Sequence, residues 1–327
     1  MKRYASRIYI HSQPENLGCD SHYYHKTIRS KMRKFIVVIL CFISLVSVSQ
    51  EYKLVWEDNF NQTNLDTTKW SALESGDGGG NRELQYYHNK NISVAKEPVS
   101  GESCLIITAK KESYMGRTCT SGRLSTQNKM NFKFGKIVAR IKMPNTADGL
   151  WPAFWMLGAD SQTVKWPKCG EIDIVEMGKI TGIQKGVQDR YFNGACHWGE
   201  SWNGGKYPNK GISTTNNYCL QDDFHTYTLF WTPESIKMYL DLEKYPKAKP
   251  YYELQITGKN LPNETSRYFR KPFYILFNLA VGGTFSEIYD INKITSLKNG
   301  DAKMYVDYVR VYQKGTANEE LNTKSPR

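Results

Sequence analysis

The chain has 327 residues and a formal net charge of +12, with 44 Lys and Arg against 32 Asp and Glu. Its basic residues do not gather on one element, which argues against a nucleic-acid partner. The sequence shows no repeat and no break in composition after its N-terminal region, so it fits one large domain.

The N-terminal region has the pattern of an export signal. A basic segment at residues 32–34 precedes an apolar run over residues 35–48, which is short for a membrane span. Ser47 and Ser49 are the small residues of a cleavage site, so residues 32–49 are the predicted signal peptide, cleaved before Gln50. A short membrane anchor is the alternative.

Residues 1–31 precede that complete signal and are interpreted as an over-long start or a disordered extension. Removal of residues 1–49, which carry eight Lys or Arg and two Asp or Glu, leaves a charge of about +6. We therefore expect a secreted protein, periplasmic or extracellular, without a membrane span after cleavage.

Five cysteines follow residue 49: Cys104, Cys119, Cys169, Cys196 and Cys219. Their spacing contains no CxxC pair, which argues against a zinc site. Export permits disulfides, but the odd number leaves at least one thiol unpaired and the spacing assigns no pairs.

Short apolar segments predict strands along the whole remaining chain. They cover residues 104–109, 135–142, 224–231, 235–241, 273–280 and 304–312, and turn residues separate them. No long segment has a helical apolar period, so the pattern predicts an all-β sandwich or barrel over residues 50–314. Residues 315–327 form a polar tail that we expect to be frayed.

The most informative segment is residues 170–176, GEIDIVE. Its β-branched residues favour a strand, on which Glu171 and Asp173 share a face and Glu176 points away. One extra residue, a β-bulge near Ile174 or Val175, would return Glu176 to that face. The alternative is a solvated edge strand, but no Lys or Arg alternates with the acids.

Three tryptophans precede this acid row closely: Trp151, Trp155 and Trp166. Trp151 and Trp155 lie four residues apart and so share one face of a strand. Aromatic rings in a groove stack on flat ligands, including the apolar faces of sugar rings. Packing in the core is the alternative for these side chains.

Two carboxylates that flank a glycosidic bond are what retaining glycoside hydrolysis requires. One attacks the anomeric carbon, and the other protonates the leaving oxygen and then activates water. A third acid between them can hold the two in different protonation states.

The whole pattern resembles glycoside hydrolase family 16. Residues 170–176 are similar to its bulged ExDxxE signature, and the other similar segments follow in family order. These segments are residues 55–60 (VWEDNF), 80–87 (GNRELQYY), 149–158 (GLWPAFWMLG), 277–283 (FNLAVGG) and 305–312 (YVDYVRVY). The resemblance implies a concanavalin-like β-jelly roll, a sandwich of two curved antiparallel sheets with an open concave cleft.

By this resemblance, Glu171 is the nucleophile, Glu176 the general acid/base, and Asp173 tunes the charge of both. The residues implied for substrate binding are Asn81, Arg82, Trp151, Trp155, Trp166, His197 and Asn278. A structural role on the strand is the alternative for His197, and hydrogen bonding to buried backbone is the alternative for Asn278.

Many members of the family also bind a structural calcium ion away from the cleft. The ligands implied here are Glu57, the Gly101 carbonyl and Asp307, since oxygen ligands suit calcium. The alternative for Asp307 is a cross-strand ion pair with Arg or Lys. The reaction itself needs no cofactor.

The bulged signature most resembles the laminarinase branch, the endo-β-1,3-glucanases, whose neighbours also cut mixed-linkage β-1,3/1,4-glucan. The predicted protein is thus a monomeric, endo-acting, retaining β-glucanase whose partner is a β-glucan polysaccharide. Hydrolysis of a galactan such as agarose or carrageenan is the alternative. A non-catalytic glycan-binding protein is a remote one, because all three acids are present. The strand around His197 and residues 200–218 depart from the usual pattern, which leaves the acceptor side open.

Overall fold

The computed structural model describes residues 50–221, 223–258 and 264–324. The predicted signal peptide and residues 1–31 lie outside these described residues. The strands of the first half are β1 (Lys53–Asp58), β2 (Ser71–Ala72), β3 (Tyr86–Tyr87), β4 (Ile92–Lys96), β5 (Ser103–Ala109), β6 (Thr120–Ser121), β7 (Arg123–Ser125), β8 (Met130–Lys133), β9 (Gly135–Lys142) and β10 (Leu150–Gly158).

The second half contains β11 (Glu171–Met177), β12 (Tyr191–His197), β13 (Asn209–Thr215), β14 (His225–Trp231), β15 (Ser235–Leu240), β16 (Tyr252–Gln255), β17 (Phe273–Val281), β18 (Ala302–Gln313) and β19 (Glu320–Thr323). The short α-helices are α1 (Ile180–Gln184) and α2 (Ser266–Phe269), and 3₁₀ turns cover Asn89–Asn91, Asn203–Gly205, Ile291–Lys293 and Thr295–Leu297. Secondary structure is therefore almost entirely β, as the sequence predicts.

Two antiparallel sheets contain most of these strands. The front sheet has the order β13-β12-β11-β10-β17-β7-β2, and β8 joins β17 to β19. The back sheet has the order β16-β15-β14-β9-β18-β5-β4, and β1 pairs with β18. Because most neighbours are distant in sequence, long connections cross between the sheets, and the predicted jelly roll of two antiparallel sheets is confirmed.

Large apolar side chains fill the space between the sheets. Phe154 and Phe277 of the front sheet stack with ring centroids 4.8 Å apart, and Trp231 of the back sheet meets Phe273 edge-on at 5.3 Å. Buried residues of both sheets belong to one continuous cluster. Each such side chain contributes roughly 1.5–3 kcal/mol by leaving water. This core holds the sheets face to face and leaves the outer face of the front sheet for a binding site.

The predicted strands are confirmed within a few residues, but the expectation of a frayed tail was wrong for residues 320–323. Strand β19 pairs with β8 across four residues. Leu321 packs against the core, and Gln313 Nε2 donates to the Glu320 carbonyl at 2.9 Å. The polar composition of the segment concealed this strand, which is held by its pairing with β8 and by the contact of Leu321 with the core.

Strand β11 contains the predicted bulge. Asp173 and Val175 pair with consecutive residues of β10, which leaves Ile174 without a partner on that strand. Ile174 and Val175 both lie in the core. The alternation of side chains is therefore reset, and Glu176 returns to the face that carries Asp173, as the spacing of the acids predicts.

Within the described residues, no helix is long and apolar enough to cross a membrane. Cys104, Cys119, Cys169 and Cys196 are buried thiols without disulfide bonds. Burial raises the pKa of Cys119 to about 12, which keeps this thiol protonated and unreactive.

Candidate active site

A cavity of about 640 Å³ lies over the acid row of the front sheet. All three acids line it. Residues from both sides of the acid row line it as well, among them Gly79, Asn81, Glu83, Arg123, Trp151, Trp155, Trp166, Lys179, Asn193, His197, Trp202, Tyr207, Asn278 and Phe285. Strand β11 lies between β12 and β10. The acid row therefore runs through the middle of the site, with binding surface on both sides.

Burial keeps part of the acid row protonated. It raises the pKa of Glu171 to about 8, and the charge of Asp173 adds to this rise. It also raises the pKa of Asp173 well above its usual range, to which the charge of Glu176 adds. The pKa of Glu176 is raised by burial as well. Three adjacent carboxyls, of which Asp173 and Glu176 are buried and Glu171 is half-buried, cannot all ionise at neutral pH, so the row shares protons.

Asp173 is the carboxyl best placed to keep a proton. It is 4% exposed and its Oδ2 accepts no hydrogen bond. Burial and the charge of Glu176 raise its pKa more than the contact with Glu171 lowers it. A proton on Asp173 removes the charge that adds to the effect of burial on the pKa of Glu171. Glu171 can then ionise while it accepts a hydrogen bond, which is the state that a nucleophile requires.

His197 lies on β12, opposite Glu171 of the acid row. Its Nε2 lies 3.3 Å from Asp173 Oδ2, and its Nδ1 contacts the Tyr207 hydroxyl at 3.1 Å. The ligating atoms of Glu171, Asp173 and His197 lie within 4.8 Å of one another, close enough for a cation. Their protein partners account for the arrangement, so we assign no metal to it.

Glu176 accepts two hydrogen bonds from neighbouring strands. Trp151 Nε1 donates to Oε1 at 3.0 Å, and Asn193 Nδ2 donates to Oε2 at 2.9 Å. Behind Asn193, the Ser213 hydroxyl donates to its Oδ1 at 3.0 Å, and Lys179 Nζ donates to Ser213 Oγ at 3.1 Å. These donors favour the ionised carboxylate and so oppose the effect of burial on its pKa.

A polar network orients the second tryptophan on the β17 side of the acid row. Trp155 Nε1 donates to Asn278 Oδ1 at 2.7 Å, and Asn278 Nδ2 donates to the Tyr87 hydroxyl at 3.3 Å. Tyr87 in turn donates to Glu83 at 2.8 Å, and the Arg123 guanidinium lies 4.8 Å from the Trp155 ring centre. Asn278 thus bonds to side chains, not to buried backbone as the alternative proposed.

The remaining predicted residues have different surroundings. Asn81 lines the cavity and donates to Glu83 at 3.4 Å. Trp166 lines it too and meets the Tyr207 ring at 4.7 Å. Arg82 does not line the cavity, because its guanidinium lies 4.1 Å from the ring centre of Tyr289. Its contact with substrate stays a prediction.

Sequence reasoning missed several residues that line the site: Glu83, Arg123, Lys179, Asn193 and Phe285. Glu83 lies within the GNRELQYY segment, so the motif itself offered a signal. Arg123 and Asn193 have no local signal, because a lone polar residue on a strand is usually solvated. Lys179 and Phe285 have none either, because they lie in the connections between elements. They become part of the site only where the fold brings their strands and loops beside β11.

The residues implied for calcium lie in or beside the back sheet. Their carboxylates are paired with arginines: Asp307 with Arg140 at 2.7 Å, and Glu57 with Arg310 at 3.3 Å. Arg140 also pairs with Glu102, the residue after Gly101. A divalent cation would have to displace these guanidinium groups, so the donor set as folded does not fit calcium. Calcium binding stays a prediction.

Comparison with known proteins gives consistent matches. A family model described as "Beta-porphyranase A-D, GH16 domain" matches residues 54–314. The chain is 33% identical over 278 residues to glucan endo-1,3-beta-glucosidase A1 of Niallia circulans, which covers 80% of this chain and 38% of that protein. It is 34% identical over 273 residues to a beta-glucanase of Rhodothermus marinus, covering 80% of this chain and 85% of that protein.

Solved structures give the same result. A family 16 protein of the mixed-linkage glucan locus of Bacteroides ovatus, in complex with a G4G4G3G product, superposes with a TM-score of 0.68. It is 38% identical, and the match covers 78% of this chain and 99% of that one. The chain thus corresponds to a whole domain of known structure, although it spans less than two fifths of the Niallia circulans protein.

Proposed function

The chain belongs to glycoside hydrolase family 16, and from this premise we propose that it is an endo-acting, retaining β-glucanase. Its substrate in this proposal is β-1,3-glucan (laminarin), mixed-linkage β-1,3/1,4-glucan, or both. The bulge of β11 is the observation that carries the proposal, since it puts Glu171, Asp173 and Glu176 on one wall of an open cavity. The named activities of the relatives support the substrate.

In the first step, the Glu171 carboxylate attacks the anomeric carbon and Glu176 gives its proton to the leaving glycosidic oxygen. The carbon–oxygen bond breaks, and the chain bound at Glu171 becomes a covalent glycosyl ester. Asp173 keeps its proton through this step and donates a hydrogen bond to Glu171, which orients the attacking oxygen.

In the second step, Glu176 is the base. Its carboxylate, held by Trp151 and Asn193, takes a proton from water, whose oxygen attacks the anomeric carbon and releases Glu171. Two inversions leave the configuration of the anomeric carbon unchanged. The hydrogen bonds on Glu176 stabilise its ionised state between the steps, which the reaction requires of a group that acts first as acid.

Neutral sugar hydroxyls fit the walls of the cavity. Asn278 orients the Trp155 ring, which lines the cavity together with the amide of Asn81. Aromatic rings and amides are groups that bind uncharged glycans. On the acceptor side, Trp202 is 56% exposed and lines the cavity. We propose that its ring stacks on the leaving part of the chain.

A galactan is the second candidate, because the matching family model is named for porphyranases. A sulfated chain needs Arg or Lys partners. Among the described residues that line the cavity, Arg123 and Lys179 are the permanent cations. Four carboxylates line it as well: Glu83, Glu171, Asp173 and Glu176. Arg123 covers Trp155 and Lys179 bonds to Ser213. Both cations are therefore engaged by the protein, and neutral glucan is the better fit.

A non-catalytic glycan-binding protein would have no need for a buried acid row. Three adjacent carboxyls with raised pKa values cost stability and are found where chemistry requires them. The complete row therefore supports an enzyme.

We also propose that the protein acts outside the cytoplasm as a monomer. The basic and apolar pattern of residues 32–48 supports export. Mass spectrometry of the secreted protein should show an N-terminus at Gln50.

The test of the substrate is incubation of the purified protein with laminarin, barley β-glucan, agarose and porphyran, followed by chromatography of the products. We expect a ladder of oligosaccharides from the glucans, and early proton NMR spectra should show β-anomers. Glu171→Gln, which should produce none, is the control for contaminating activity. Cleavage of a galactan with both glucans left intact would contradict the proposal.

A further inference from the structure

Lys179 lies behind Glu176 and touches two groups that lead to it. Its Nζ donates to Ser213 Oγ at 3.1 Å, and it lies 5.9 Å from the ring centre of Phe285. Neither Lys179 nor Phe285 carries out a step of the proposed reaction. Both nevertheless line the cavity, so we asked how they act on Glu176.

The first connection is a chain of hydrogen bonds with one direction. Lys179 is only a donor, so Ser213 Oγ must accept from it and its hydroxyl proton is free for Asn193 Oδ1. That bond, at 3.0 Å, fixes which end of the amide is the acceptor. Asn193 Nδ2 must then point at Glu176 Oε2, 2.9 Å away. The Lys179 ammonium group thereby determines the orientation of the Asn193 amide, to which it is connected through the Ser213 hydroxyl.

The second connection passes through aromatic rings. Phe285 stacks on Trp151 with ring centroids 4.7 Å apart and an angle of 11° between the planes. The Trp151 indole then donates to Glu176 Oε1 at 3.0 Å. Each oxygen of Glu176 thus has one donor. Behind one donor, Ser213 is hydrogen-bonded to Lys179, and behind the other, the Phe285 ring centre lies 5.9 Å from the ammonium group.

Local backbone geometry fixes Lys179 in this place. Gly178 has φ of 92°, and a Cβ there would lie 1.8 Å from the Leu150 carbonyl oxygen, so only glycine fits. The chain therefore turns sharply after β11 and enters α1. The Ile180 amide donates to the Phe285 carbonyl at 2.9 Å, which ties the lysine's neighbour to the loop that carries the ring.

We propose that Lys179 is a positioning residue that fixes Glu176 through Ser213 and Asn193 on one side and through Phe285 and Trp151 on the other. The inference rests on the proposed function, in which Glu176 is the acid/base. Lys179 would hold the carboxyl in one rotamer, aligned with the glycosidic oxygen, and favour its ionised form after the first proton transfer.

The charges around Glu176 set the direction of the expected pH effect. Asp173 and Glu171 on its own strand raise its pKa when they are ionised, whereas His197 on β12 and Lys179 lower it. Removal of the lysine charge should raise the pKa of Glu176. The alkaline limb of kcat/KM, which reports the acid that must be protonated, should move up. The acid limb, which reports Glu171, should stay in place.

Lys179→Met is the test, with Lys179→Arg as the conservative variant. Lys185→Met is the matched control, because Lys185 is an exposed lysine next to the same helix and does not line the cavity. We expect Lys179→Met to lower kcat about tenfold to a hundredfold on laminarin, with KM nearly unchanged. Its alkaline limb should rise by roughly half a pH unit. Lys179→Arg should recover most of the activity, and Lys185→Met should match the wild type.

A titration without substrate separates this inference from the proposed function. Carbon-13 NMR of proteins labelled at the Glu carboxyl carbons follows each carboxyl, and Glu176→Gln assigns the signal of interest. The Glu176 signal should titrate at higher pH in Lys179→Met than in wild type, whichever glycan the enzyme cuts. Ser213→Ala keeps the lysine charge but removes the hydrogen bonds between Lys179 and Asn193. It should therefore raise the titration midpoint of Glu176 by a smaller amount than Lys179→Met.

Unchanged Glu176 titration together with an unchanged alkaline limb in Lys179→Met would overturn the inference. So would a loss of activity that follows only a loss of thermal stability and that Lys179→Arg fails to recover. If the wild-type protein cuts no β-glucan but the Glu176 signal still titrates at higher pH in Lys179→Met than in wild type, the proposed substrate is overturned and the positioning role stands.

Discussion

Two groups of acidic residues lie on opposite sheets and are treated in opposite ways. The acid row of the front sheet contains two buried carboxyls, Asp173 and Glu176, and the half-buried Glu171, and none of the three pairs directly with a Lys or Arg of the described residues. In the back-sheet ion pairs, Arg140 bonds to both Glu102 and Asp307. Both groups depend on a bulge, since the register of β18 against β9 shifts at Asp307. The fold therefore uses one backbone device for two purposes.

The difference shows what each group is for. Paired charges at the edge of the core satisfy one another and hold strands together. Unpaired buried acids retain protons and oppose folding at neutral pH, so they remain only where a reaction requires them. Substitutions should accordingly affect activity in one group and stability in the other.

The largest expected effect is that of Glu171→Ala. Loss of the nucleophile should lower kcat on laminarin by about 10⁴-fold or more, because no covalent intermediate can form. Azide that replaces the missing carboxylate should give an α-glycosyl azide from an activated aryl β-glucoside, which NMR of the product detects. A β-glycosyl azide from this variant would mean that the two glutamates have exchanged roles.

Glu176→Ala should have a large effect that depends on the leaving group. Activity on laminarin should fall by about 10²–10⁴-fold, because protonation of the glycosidic oxygen is lost. Aryl glycosides with good leaving groups should still form the glycosyl ester, and azide should give a β-glycosyl azide. Equal losses on both substrates would contradict the role of Glu176 as acid.

The acid row should also make stability depend on pH. Burial raises the pKa of Glu171 from 4.5 to about 8 and the pKa of Asp173 well above its usual range, so the folded row keeps a proton that the unfolded chain loses near pH 4.5. The free energy of unfolding should therefore fall as pH rises from about 4.5 to about 8. Glu171→Gln should stabilise the protein at pH 8 by on the order of 1–3 kcal/mol, measured by urea unfolding. The same gain at pH 4 would contradict this explanation.

Arg140→Met should lower stability and leave activity unchanged, in contrast to substitutions in the acid row. It leaves Asp307 and Glu102 without their guanidinium partner, so the free energy of unfolding should fall by about 1–3 kcal/mol while kcat stays close to wild type. Lys237→Met, which breaks the exposed pair with Glu253, is the control and should cost less than about 1 kcal/mol. A large loss of kcat in Arg140→Met at a temperature where it is folded would break the comparison.

The smallest expected effect is that of metal removal. Because Arg140 and Arg310 pair with the carboxylates implied for calcium, a chelator should leave the Tm unchanged within the error of calorimetry. A Tm that falls with chelator and recovers with calcium would show instead that the ion displaces the arginines and that the prediction from the resemblance was right.

Much of the fold could be predicted because its signals are local. The apolar runs that became β5, β9, β14, β15, β17 and β18 are self-contained patterns, and the tail strand β19 was missed because its residues are polar. The five-residue spacing of Glu171 and Glu176 likewise contained the bulge. Lys179, Asn193 and Arg123 had no comparable signal, since each acts through neighbours far along the chain.

The sequence by itself determined the acid row, the strands that carry it and the family to which the chain belongs. These depend on side-chain alternation and spacing within single segments, which are properties of neighbouring residues. Only the tertiary structure decided which groups support each acid. Asn193 and Trp151 reach Glu176 because β12 and β10 flank β11, and strand order follows from the packing of the whole core. For the same reason Asp307 lies beside Arg140, a contact between strands that no spacing in the sequence records.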